Sequence, residues 1–225
     1  MKRRERRAAG LAAAVWGALA AFSCAGGVVP QDNFYRLEGI LRPEPLSEPA
    51  LAGVLRVQRP VADPLLGSRP ILWREDRPGA PLQQYHYHHW AEVPPVALQR
   101  ELVACLRAAR VSPQVVTPRE RTPSDFELAA RLERLEHLRG GGGGDRVLVG
   151  VEVSLRDLRG SELVHRARYL AEEAAEGDME TVARAFTRAI DRLCADLVVD
   201  LAGLSRRGPP QTQGGGSRAG AGPAR

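Results

Sequence analysis

Gln83-Gln84-Tyr85-His86-Tyr87-His88-His89-Trp90-Ala91-Glu92-Val93-Pro94-Pro95 is the stretch whose reading decides the fold. It begins as an aromatic-rich run with strand character and stops at two consecutive prolines. Beyond them Val96, Leu98, Leu102, Val103, Cys105, Leu106 and Ala109 recur near the helical period. Proline is tolerated in the first helical turn, because the first amides have no intrahelical partner. The segment therefore predicts a strand–helix corner with its heaviest side chains, Trp90 above all, at the joint.

Working backward from the corner, Ile71-Leu72-Trp73-Arg74 reads as a strand and Arg77-Pro78-Gly79-Ala80-Pro81 as a turn, so residues 71–90 form a hairpin. Gly53 to Arg59 alternates apolar and polar residues, the signature of a half-buried strand. Pro60 to Pro70 reads as a loop with one helical turn at Pro64-Leu65-Leu66. Phe34-Tyr35-Arg36-Leu37 reads as the first strand, followed by a loop set by Pro43, Pro45 and Pro49.

Working forward, Val115-Val116 is a short strand between Pro113 and Pro118. Ser124 to Leu138 fits two templates. Leu128, Leu132, Leu135 and Leu138 suit a helix opened by a Ser124/Glu127 capping box, whereas Phe126, Leu128, Ala130 and Leu132 suit a strand. Gly140 to Gly144 has no side chain to pack and predicts a flexible hairpin tip. Val147 to Leu155 alternates without a break and is the clearest strand in the chain. Glu162 to Leu170 returns as its partner. Asp178 is placed as the N-cap of a second helix carrying Val182, Phe186, Ile190, Leu193, Leu197 and Leu201 on one stripe, with Gly203 as its stop.

The two ends differ from the middle. Lys2, Arg3, Arg4, Arg6 and Arg7 precede an apolar run from Ala8 to Phe22, which at 15 residues is too short to span a bilayer core of ~30 Å. A basic head, a short apolar run and small residues describe a secretory signal. It ends at Ala21-Phe22-Ser23-Cys24, which resembles a bacterial lipobox with Cys24 as the lipidated residue, although Ala21 stands where the usual Leu would be. Ala25 after the cysteine resembles an outer-membrane address. The formal net charge of +5 belongs to the ends: residues 8–204 carry 23 basic and 26 acidic residues. A nucleic-acid binder needs positive charge on its folded part, so nucleic acid is excluded as a partner.

Chemical candidates are few. Alternate residues of a strand share a face, so His86 and His88 point the same way, and two close imidazoles would attract zinc or copper. No Cys or acidic cluster stands at a supporting spacing, so the reading is no metal and no cofactor. Cys105 and Cys194 each lie near the apolar stripe of a helix. In an oxidising compartment they form either a bridge, if the helices pack side by side, or two separate buried thiols. The sequence holds neither Gly-x-Ser-x-Gly nor a phosphate loop ending in Gly-Lys-Ser/Thr, and Glu172, Glu173 and Glu176 read as solvated. The chain reads as a non-enzyme.

Tyr85-His86-Tyr87-His88-His89-Trp90-Ala91-Glu92-Val93-Pro94, followed at once by Leu98, Leu102 and Leu106, resembles the ABC-type transport auxiliary lipoprotein family (PqiC-like). The resemblance implies an α/β domain of the α+β type, a mostly antiparallel mixed sheet with two amphipathic helices on one face, and it favours the strand for 124–138. It implies a periplasm-facing lipoprotein in the outer membrane, working with an ABC transporter permease and an MCE-type (mammalian cell entry) substrate-binding protein to move lipid or another hydrophobic molecule. It marks Tyr85, His86, Tyr87, His88, Trp90 and Pro94 as motif residues and partner-contact candidates, and it leaves a homo-oligomer open. The implied organisation is a signal peptide over 1–23, a tether over 24–33, one domain over 34–203 and a disordered Gly/Pro/Arg tail over 204–225. Two other readings compete: a lipoprotein of another envelope assembly, in cell-wall synthesis or lipopolysaccharide export, and a periplasmic metal-binding protein using His86 and His88.

Overall fold

Val147, Val149, Val151, Val153 and Leu155 are all buried, with Glu152 and Ser154 between the last of them more exposed, so the alternation read from the sequence is the pleat of a real strand. In the computed structural model, which describes residues 30–39 and 42–207, that strand is β8 (Gly144–Asp157). It pairs antiparallel on one side with β9 (Glu162–Ala174) and on the other with β7 (Phe126–Gly141). The two-template segment 124–138 is thus strand rather than helix. Its leucines sit opposite Leu155, Val151 and Val149 in the ladder, and cross-strand packing of that kind outweighs a local capping box.

The free edge of β7 receives three further strands in succession, all parallel to it. β2 (Val54–Val57) pairs at Phe126–Leu128, β3 (Val61–Ala62) at Arg131–Leu132, and β4 (Pro70–Glu75) at His137–Arg139. β4 pairs antiparallel with β5 (Gln83–Trp90), as the hairpin reading expects. β1 (Asn33–Tyr35) closes that side, parallel to β5, and β6 (Gln114–Val116) closes the other, parallel to β2. The result is the mixed nine-stranded sheet of an α/β domain. Its three antiparallel pairings include the two longest ladders, and its five parallel pairings are short.

Two helices cover one face. α1 (Pro94–Ala108) starts with the two prolines as its first residues, with Val93 extended as its cap residue. α2 (Met179–Arg207) is capped by Asp178, whose carboxylate accepts from the Thr181 amide at 2.8 Å. Val182, Phe186, Ile190, Leu193, Leu197 and Leu201 are all buried, so the predicted stripe is the packed stripe. α2 runs on through Gly203 to Arg207, beyond the stop and into the segment expected to be disordered. A single glycine costs a helix only about 1 kcal/mol, too little to end one already held by its packed stripe. No described helix is long and apolar enough to cross a membrane. The expected signal sequence with Cys24, and residues 208–225, lie outside the described residues.

Cys105 of α1 and Cys194 of α2 are joined by a disulfide, with Cα atoms 6.4 Å apart and a sequence separation of 89. The helices do pack side by side, which settles the alternative between a bridge and two thiols. Closing a loop of this size removes denatured-state freedom worth roughly 2–5 kcal/mol. A Cys105→Ala/Cys194→Ala variant is accordingly expected to lose about 2–5 kcal/mol in urea unfolding. A loss under about 1 kcal/mol would mean that the bridge adds little to the packing around it.

Candidate functional site

The strand–helix corner is built around Trp90, which is 1% exposed. Its indole meets the Phe186 ring of α2 edge-on, with centroids 5.2 Å apart. Its amide donates to the Arg69 carbonyl at 2.7 Å, and the Arg69 guanidinium returns bonds to the Trp90 and Ala91 carbonyls at 3.1 Å each. The Ala91 amide donates to the Tyr35 carbonyl. Pro94 is buried at the first turn of α1. The two motif residues Trp90 and Pro94 thus fasten β5, α1 and α2 together, leaving no atom of the indole ring to offer a partner.

The tyrosines and histidines of the motif behave differently from one another. Regular alternation fails in mid-strand. The β4–β5 register slips between Pro70↔His89 and Leu72↔Gln84, and His86 and Tyr87 are exposed in succession. In consequence Tyr85 and His88, three residues apart, share a face and meet edge-on with ring centroids 5.7 Å apart. This corrects the expectation that His86 and His88 point the same way. The ring contact of His86 is with its neighbour Tyr87, while His88 Nδ1 lies 3.0 Å from the Tyr35 hydroxyl. The described residues hold no group of three His, Cys, Asp or Glu arranged for a metal ion. His89 faces Phe34 and lies 3.6 Å from Asp32.

Tyr85 continues into a buried cluster that the sequence reading missed. Its hydroxyl lies 2.8 Å from Nδ1 of His137, a residue of β7 that is 3% exposed. Asp145, across the glycine tip, stands 3.6 Å from the other ring nitrogen, and its carboxylate accepts from the Gly140 amide at 2.8 Å. Trp73 packs on Tyr85, and the Arg139 guanidinium lies over Trp73, 4.9 Å from the ring centroid. Burial pushes the His137 imidazole below its usual range, with Asp145 pulling it partly back and Arg139 adding to the fall. Burial likewise lowers His88, with His89 adding to it, and raises the Tyr85 hydroxyl. A third pair, His165 with Tyr169, leads to Asp200 on α2.

A second missed residue is Glu101, a carboxylate 4% exposed on the packed side of α1. It accepts from the Gly39 amide at 2.9 Å, from Arg42 at 3.0 Å and from Arg100 at 3.0 Å, tying the segment after β1 to the helix. Its signal was visible: a charge one turn from Ala97 and Leu98, on the stripe that ends in Cys105. Buried charges persist only when paired in this way. Between helices and sheet, the cavity beside Glu101 measures about 20 Å³, room for one water and for no acyl chain.

A mixed sheet covered on one face by a disulfide-bonded helix pair defines an α/β domain. The chain belongs to the family of ABC-type transport auxiliary lipoprotein components, whose model matches residues 35–198. It is similar to the crystal structure of protein XCC0632 from Xanthomonas campestris, of family DUF330, at 22% identity and a TM-score of 0.67, over 78% of this chain and 98% of that one. A second solved structure, an uncharacterized protein, matches at 14% identity and a TM-score of 0.59, over 76% of this chain and 99% of that one. At such identities the likeness is one of fold. No curated protein matches the chain.

Trp90→Ala is expected to cost roughly 3–5 kcal/mol in chemical unfolding, the usual cost of emptying a fully buried indole site, with Trp90→Phe well below that. The lowered imidazoles predict an acid-side loss. The fold favours their neutral form, so their full contribution is present above the unfolded-state value of about 6.5 and falls away as pH drops through the lower folded-state values. Unfolding midpoints measured from neutral pH down into the acid range should therefore fall for the wild type, and fall less for His137→Gln.

Proposed function

We propose that this protein is a membrane-anchored, periplasm-facing lipoprotein of the outer membrane, serving an ABC-type transporter that works through an MCE-type substrate-binding protein. The cargo class is lipid or another hydrophobic molecule passing between inner and outer membranes. The observation that carries the reading is the family match over residues 35–198, taken together with the lipobox-like Ala21-Phe22-Ser23-Cys24 ahead of it. The role is docking rather than catalysis or carriage. The cavity between helices and sheet supports this, because at about 20 Å³ it cannot accept an acyl chain. His86 and Tyr87, exposed beside the structural Trp90, are the motif residues with side chains available to a partner.

Attachment needs more than one acyl chain, since a single chain of the myristoyl kind holds a protein only marginally; a diacylglyceryl group on Cys24 meets that requirement. The nine residues from Ala25 to Asn33 would reach at most about 30 Å when extended, so the domain stays near the bilayer surface.

The test is a pull-down of the full chain from detergent-solubilised native membranes, read by mass spectrometry beside Cys24→Ala. The wild type should fractionate with the membrane and bring down an MCE-type protein or its permease, and Cys24→Ala should be released to the soluble fraction. Partners drawn instead from cell-wall synthesis or lipopolysaccharide export would replace this reading with that of another envelope assembly. An unchanged membrane fraction for Cys24→Ala would remove the anchor.

A further inference from the structure

The outer side of α1 carries a feature that neither the motif nor the family reading accounts for. A cleft of about 410 Å³ runs along the helix, lined by Val96, Val103 and Ala104 at its floor and by Arg59, Arg100, Arg107 and Arg119 at its rim. Val96, Arg100, Val103 and Arg107 fall at successive turns, so the cleft follows the helix for about 16 Å, the rise of eleven residues. Glu92 is the one acidic residue of its lining, and it is held by Arg100. Residues 8–204 as a whole carry more acidic than basic groups, so the excess of arginine here is local and not a reflection of composition.

The four arginines divide into two kinds. Arg100 and Arg107 are engaged: Arg100 with Glu92, Glu101 and the Leu37 carbonyl, Arg107 with the Val115 carbonyl and Glu120. Arg59 and Arg119 stand exposed and, among the described residues, form no ion pair. They come from the loop after β2 and from the short 3₁₀ turn Pro118–Glu120, so two uncommitted cations rise from separate loops beside one apolar floor. The neighbouring strand β6 is not free to pair with an incoming strand at this point, because Arg107 already occupies its Val115 carbonyl through two bonds. An occupant is therefore recognised through side chains rather than by strand addition.

We propose that this groove receives an acidic amphipathic helix from the transporter partner. Two turns of apolar side chains would seat on Val96, Val103 and Ala104, and carboxylates on its flanks would face Arg59 and Arg119. The inference rests on the auxiliary-lipoprotein reading for the identity of the partner, and on charge complementarity and groove shape for its chemistry.

The experiment places a photo-crosslinking residue at Ala104 of the full chain in its native membranes, with a second at Val199, an exposed position of α2 away from the groove, as control. The Ala104 probe should capture an MCE-type protein or permease through a peptide bearing apolar residues at helical spacing with flanking Asp or Glu, and the Val199 probe should not. Arg59→Glu/Arg119→Glu should reduce both the adduct and the co-purified partner by roughly tenfold or more, and about 0.5 M salt should weaken the wild type in the same direction. An unchanged unfolding midpoint for the double variant, both positions being exposed, shows that the loss is one of binding. Co-purification undiminished by charge reversal overturns the groove while leaving the auxiliary role standing. An Ala104 adduct to phospholipid overturns the helix as occupant. A charge-sensitive adduct to an acidic helix of a different envelope assembly sustains the groove and overturns the transporter assignment.

Discussion

Strand β7 presents backbone donors and acceptors on both edges along its 16 residues, and the helices packed over one face keep water from much of that length. Each group needs a partner. β8 satisfies one edge with a single long antiparallel ladder. The other edge is completed piecewise by β2, β3 and β4, each only a few residues long and each parallel to it. The rest of the architecture follows from that division. β2 brings β6 to one end and β4 brings β5 and β1 to the other, and α1 is the connection from β5 to β6.

The corner at Trp90 joins this sheet to its helices. The indole fills the space between β5 and α2, the proline pair starts α1 without stranding an amide, and the disulfide between Cys105 and Cys194 closes the helix pair. In the Tyr85–Pro94 segment, Trp90 and Pro94 are therefore chiefly architectural. Conformational freedom is removed at the point where three elements meet, and a motif of aromatic and proline residues suits that task because such residues bury large areas with few rotatable bonds.

Charge is organised with equal care on the outside. On the face of the sheet opposite the helices, Glu136 is buried beneath Arg74 and Arg134, Glu152 holds Arg166, and Glu133 holds Arg168, so this face is sealed by ion pairs rather than by a further layer. Against that balanced background the arginine-rimmed cleft on α1 stands out as charge without its complement. Uncommitted charge at the rim of a groove is compatible with the auxiliary transport family to which the chain belongs.

The sequence by itself determined the strand–helix corner, the clear strand at Val147–Leu155, the packed stripe of α2 and the family, because each depends on local periodicity or on a contiguous motif. It could not decide residues 124–138, where Leu spacing satisfied helix and strand alike until β8 supplied the opposing leucine and valines. Nor could it foresee the register slip between β4 and β5, with Tyr85 meeting His88 on one side and His137 of β7 on the other. The pairing of Cys105 with Cys194, the burial of Glu101 and the gathering of Arg59 with Arg119 were likewise decided only by the tertiary structure. In each case the partners lie tens of residues apart, and the choice between them depends on which edges and faces the packed core leaves adjacent, a quantity that no local pattern encodes.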